Sequence, residues 1–139
     1  MATSFTDSTR RHIQDGALLL DRGRLANADQ LFGLAAECAL KGALTALGMK
    51  TTSKGAPERQ HRLHIDALWP LTLALLTDRV GGRWSTLLGD GQPFHAWRIE
   101  QRYVADRNAP GRAVVDGHAE AAWRAARVLD AALLDGLAP

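Results

Sequence analysis

The sequence predicts an all-α fold, an up-and-down bundle of four to five helices built as one domain over residues 1–139. Three observations carry that expectation. Apolar residues recur at helical spacing in several long stretches bounded by capping residues or glycines. No alternating run of β-branched residues and no internal repeat appears. With 46% apolar and 23% charged residues, 139 positions suffice for one core and are too apolar for disorder.

The first helix is expected from about Ser8 to Arg22, with Thr6 and Asp7 as N-cap candidates. Ile13, Ala17 and Leu20 repeat along it, and Gly23 can close it. A link through Arg24 and Leu25 leads to a second helix, about Ala26 to Leu47, ended by Gly48. That helix is apolar around most of its circumference, which places it at the bundle centre with Leu31, Leu34, Cys38 and Ala39 nearly inaccessible. Glu37 and Lys41 form an i,i+4 pair in its narrow polar stripe.

Residues 49–60 read as a polar, basic loop. A third helix is expected from about Arg62 to Asp78, kinked or split by Pro70, and a short helical piece around Arg83 to Leu88. Gly89 to Pro93 and Arg107 to Gly111 read as turns, while the aromatic and basic stretch Phe94 to Tyr103 has no clear conformation. The last helix runs from about Arg112 to Leu134, with Val115, Ala122, Ala126, Leu129 and Leu133 on one face.

Net charge is only +2, but its distribution is uneven. Residues 1–49 balance five basic against five acidic side chains, residues 50–112 carry ten against six, and residues 113–139 carry two against four. The basic middle fits an anionic partner or, more simply, a solvated arginine-rich surface. The single cysteine, Cys38, excludes an intrachain disulfide and sits among Ala35, Ala36, Ala39 and Leu40 like a small core residue. Residues 1–12 are polar and Leu18 to Leu20 is too short a run for a targeting segment. The tract Ala26 to Leu47 carries Asp29, Glu37 and Lys41, unlike a membrane span. The expected location is the cytoplasm.

The stretch from Gly16 to Lys41, with a leucine-rich first helix, a Gly-Arg link and Ala-Ala-Glu-x-Ala-Leu-Lys on the second, resembles the opening hairpin of the HEPN family. That name stands for higher eukaryote and prokaryote nucleotide-binding. His61-Arg-Leu-His-Ile-Asp-Ala-Leu68 is similar to the family's histidine and leucine pattern at the start of helix three, and Arg102-Tyr103 to its arginine–tyrosine pair before the last helix. The family includes metal-independent ribonucleases, often toxins, marked by an arginine and a histidine with four to six residues between them near the last helix. Arg112-Ala-Val-Val-Asp-Gly-His118 fits that spacing, although the residue after the arginine, often polar in the family, is Ala113.

The resemblance thus implies Arg112 and His118 as catalytic candidates. Arg102 and Tyr103, with Arg98 in the same basic stretch, are nucleotide- or RNA-binding candidates, or Tyr103 simply packs while Arg102 pairs with Glu100 or Asp106. A histidine can shuttle a proton to or from a ribose hydroxyl, and an arginine can hold the phosphate and its developing charge, without a metal or cofactor. On a regular helix, however, six positions place the two side chains about 120° apart and about 9 Å along the axis. They converge only if Arg112 precedes the helix or the site is shared across a two-fold dimer. His118 also falls on the apolar face with Val115 and Ala122, where it reads equally as a core residue.

Other constellations are weaker. His61 and His64 lack a third ligand at zinc spacing and read as surface or capping residues. Trp69, Trp84, Trp97 and Trp123 read as core or interface anchors. There is no phosphate-binding Gly-x-x-x-x-Gly-Lys, no Gly-x-Ser-x-Gly and no Cys-x-x-Cys. Three functions follow: a toxin-type endoribonuclease acting as a homodimer, a non-catalytic module binding a nucleotide, RNA or protein, or a purely structural helical dimer serving a neighbouring enzyme. A nucleotidyltransferase or an antitoxin is the expected kind of partner protein. The last helix offers Val115, Trp123 and several alanines, more apolar surface than a four-helix core needs, so a two-fold homodimer through it is expected.

Overall fold

The computed structural model describes residues 2–59, 62–80, 82–89 and 91–136, the side chains of 78–80, 82, 83 and 136 excepted. Five α-helices pack on one another: α1 (Phe5–Asp21), α2 (Leu25–Ala46), α3 (Ile65–Val80), α4 (Gly82–Leu88) and α5 (Arg112–Gly136). There is no strand among the described residues; one isolated bridge, Thr51 with Pro57, closes the loop after α2. The all-helical bundle read from the sequence is the observed architecture.

Helix α1 begins three residues earlier than expected, because Ser4 rather than Thr6 or Asp7 is the cap: its Oγ accepts the Asp7 N–H at 3.2 Å. Its end is a Schellman turn. Gly23 adopts φ 72°, the Arg24 N–H reaches the Leu19 carbonyl and the Gly23 N–H the Leu20 carbonyl. The same device ends α2 at Gly48, with φ 104° and Met49 bonded back to Leu44. Only glycine holds these left-handed positions without a Cβ penalty. The two glycines therefore fix both reversals.

Helix α2 lies between α1 and α5 and also meets α3. Its buried side chains correct the sequence expectation: of Leu31, Leu34, Cys38 and Ala39 only Ala39 is fully buried, the others half-buried. The inaccessible set is Ala28, Phe32, Ala35, Ala36, Ala39, Leu40 and Ala43. Two helix neighbours and a loop must all approach this backbone closely, and small residues permit that approach. A Cβ added at Gly16 would lie 2.9 Å from the Phe32 ring, and one at Gly42 would lie 2.8 Å from Leu129. One at Gly33 would overlap the Trp97 indole. Close packing of this kind selects for alanine and glycine, which a count of large apolar residues overlooks.

Helix α3 is not split at Pro70, its sixth residue. A proline removes the N–H that would bond four residues back, orphaning the Asp66 carbonyl. The Gln92 side chain fills that vacancy, its Nε2 donating to Asp66 O at 2.9 Å. Helix α4 follows where a short helix was expected and buries Trp84 and Leu88. It bridges α3 and α5. The stretch without a clear sequence reading, Phe94 to Tyr103, contains a 3-10 turn, Ile99–Tyr103, and buries Phe94 and Trp97 against the helices; a second 3-10 turn, Asp106–Asn108, follows it.

Helix α5 starts at Arg112 as expected and buries Val115, Ala121, Ala122, Ala125, Val128, Leu129 and Ala132. Val115 is therefore core, not spare surface, and Ala126 and Leu133 are half-buried at its edge. No helix among the described residues is long and apolar enough to cross a membrane.

Candidate functional site

Asp29 enters the core because α2 is pressed between α1 and α5, and there it is fully buried. A bare carboxylate in that position would be prohibitively costly, so it must be paired. Its Oδ1 lies 2.5 Å from His118 Nδ1, and its Oδ2 lies 3.5 Å from Gln101 Nε2. The Asp29 backbone carbonyl accepts the Trp97 indole N–H at 3.0 Å. Adjacent Gln30 donates to Arg98 O at 3.0 Å. One turn of α2 thus gathers α5, the Trp97 loop and the first 3-10 turn.

His118 is only 6% exposed. Its second nitrogen, Nε2, lies 3.1 Å from the Pro93 carbonyl. Both ring nitrogens are thus engaged by oxygen atoms of the protein. The ring also stacks on Phe94, centroids 4.8 Å apart, and Phe94 in turn packs on Trp69 at 5.6 Å.

Arg112 is the first residue of α5 and exposed. Its guanidinium pairs with Asp116 at 3.2 Å and reaches the Leu20 carbonyl at 3.5 Å. Because the helix is already regular at Arg112, the two motif residues occupy different faces, one in water and one in the core. The geometry within one chain does not bring them together.

Arg98 is exposed, but its guanidinium is engaged within the protein. Its Nη1 donates to the His95 and Trp97 carbonyls at 2.7 and 2.8 Å and lies 3.4 Å from the Asp66 carboxylate. The first two bonds brace the loop internally, and the Asp66 pair ties it to α3. Arg102 and Tyr103 face outward, Tyr103 with 77% of its surface in water and the Arg102 guanidinium 4.9 Å from its ring centroid. Beyond this pair the chain passes a recess of about 490 Å³ between the α1–α2 link and the α5 start, lined by Arg24, Asn27, Asp106, Ala109 and Pro110 among others.

A second polar cluster lies farther along α2. Glu37 accepts from Lys41 at 3.2 Å, the pair expected from the sequence, and lies 2.9 Å from His64 Nδ1. His64 stands just ahead of α3, where its carbonyl receives the Leu68 N–H, a capping position as expected. His61 lies outside the described residues. Neighbouring His12 is held below the usual histidine range by burial and by Arg11. The Cys38 thiol is pushed up to about 11, first by burial and then by Glu37. Among the described residues no group of three or more histidine, cysteine or acidic side chains is arranged to hold a metal ion.

The residue that sequence reasoning missed is Asp29. An acid near the start of a mostly apolar run is the available signal, and by itself it argues only against a membrane span. No known protein family, curated protein or solved structure matches the chain.

Proposed function

We propose that this chain is a non-catalytic helical module that binds RNA through the segment between α4 and α5. The observation that carries the reading is the exposed Tyr103 ring with Arg102 laid over it. A large aromatic left in water forfeits the burial it would gain in the core, and a base stacked on it would recover that area. Arginine beside the ring adds a cation for phosphate and for the π face. Arg24, Arg107 and Arg112 border the same segment, in line with the basic balance of residues 50–112. HEPN-like motifs in the sequence support a nucleotide-bearing ligand, and the helical fold is compatible with them.

The competing reading, ribonuclease activity by Arg112 and His118, would require His118 to release the Pro93 carbonyl and turn toward solvent. The buried Asp29 bond and the Phe94 stack oppose that movement. The binding reading is tested by titrating a fluorescent single-stranded RNA with wild type and with Tyr103→Ala. Loss of affinity in the variant at unchanged melting temperature supports it; equal affinity removes it.

A further inference from the structure

The outer face of α5 carries a pattern that the bundle does not use. Trp123 is 51% exposed in the middle of this helix, surrounded by exposed Asp116, Glu120, Arg127, Asp130 and Leu134. Three other tryptophans, Trp69, Trp84 and Trp97, are buried to 1% or less, so this one is left out of the core. On its α1 side it borders a groove of about 170 Å³ lined by Thr9, Ile13, Ala126 and Leu129.

Two of the charges beside Trp123, Glu120 and Arg127, are self-complementary. Glu120 and Arg127 are seven residues apart, which places them within about 20° of each other around the helix and about 10 Å apart along it. Their midpoint falls between Trp123 and Arg124. A two-fold axis through that midpoint, perpendicular to the helix, lays Glu120 of one copy against Arg127 of the other, and does so twice. The same axis brings the two Trp123 rings together beside the α1 groove. Asp116 would face the like charge of Asp130 in this register, but Arg112 already neutralises it within the chain.

We propose that the outer face of α5 binds a second copy of this chain, antiparallel, with the two-fold axis between Trp123 and Arg124. An isologous interface needs a patch complementary to itself, and an apolar centre flanked by one acid and one base at equal distances meets that need. The proposal is independent of the RNA-binding reading, because Arg102 and Tyr103 lie on a different segment.

The test is the molar mass of the purified full chain by light scattering at micromolar concentration. Wild type is expected as a dimer, and Trp123→Glu as a folded monomer with unchanged helicity. Glu120→Arg alone and Arg127→Glu alone should each weaken the dimer at least tenfold, since each places like charges opposite one another. An equimolar mixture of these two variants should dimerise again, because every 120–127 contact between unlike copies is then opposite in sign. A monomeric wild type overturns the proposal. So does a dimer that survives both Trp123→Glu and the single charge reversals, or single variants that are not rescued by mixing.

Discussion

His118 Nδ1 lies 2.5 Å from Asp29 Oδ1 across 89 positions of sequence, and this buried pair joins the last helix to the second. Its other nitrogen holds Pro93, so the same ring also fastens the loop that precedes the 3-10 turns. Removing one member leaves the other buried without its partner, which typically costs about 3–5 kcal/mol. Asp29→Asn and His118→Ala should each lower stability by that order in urea unfolding. The double variant should lose much less than the sum, because the second change removes the group that the first left unpaired. Additive losses would mean that the two side chains do not act as a pair.

Packing along α2 is tested by two contrasting truncations. Phe32 is fully buried, and Phe32→Ala should cost about 3–5 kcal/mol. Leu34 is half-buried, so Leu34→Ala should cost clearly less, although the sequence marks Leu34 as nearly inaccessible. Gly33→Ala should destabilise by about 1–3 kcal/mol despite its higher helix propensity, because the new methyl meets the Trp97 ring. Chemical denaturation of the three variants ranks these effects. A Gly33→Ala protein as stable as wild type would contradict the loop–helix contact.

Cys38 should be a poor nucleophile in the folded protein. With its thiol at about 11, only about one molecule in ten thousand carries the thiolate at pH 7. Alkylation by iodoacetamide should therefore be slow at neutral pH, accelerate toward pH 11 and become fast in urea. The folded state keeps the proton that the unfolded state releases above its own, lower pKa. This contribution to stability is thus complete below about pH 9 and lost as pH rises to about 11. Rapid labelling at pH 7 without denaturant would show that the thiol is not shielded.

Helical periodicity, the glycine stops and the absence of strand patterning made the bundle legible, since those signals act locally. The burial pattern of α2 was less legible because it depends on which neighbours approach. Small residues there mark the closest contacts, not the weakest ones. That Pro70 leaves the helix unsplit was hidden for a related reason: the cost of a proline falls on one carbonyl, and Gln92, remote in sequence, supplies the missing donor. Among the site candidates, Arg102 and Tyr103 are as exposed as a binding role requires. Arg98 and His118 carry bonds that no spacing rule reveals, because their partners are Asp66, Asp29 and Pro93.

An exposed base–aromatic stack contributes about 1–3 kcal/mol per base, so Tyr103→Ala should weaken single-stranded RNA binding roughly 5- to 150-fold. Arg102→Ala should weaken it as well and reduce its salt dependence. Neither change should move the melting temperature, because the Tyr103 ring has little contact with the core.

The most direct measurement follows binding and integrity of one end-labelled RNA in the same sample, with chelator present. The expected result is a saturable complex that Tyr103→Ala weakens, with the RNA recovered intact on a denaturing gel. The contradicting result is cleavage by wild type that His118→Ala and Arg112→Ala each abolish while both variants remain folded, which would restore His118 to a catalytic role.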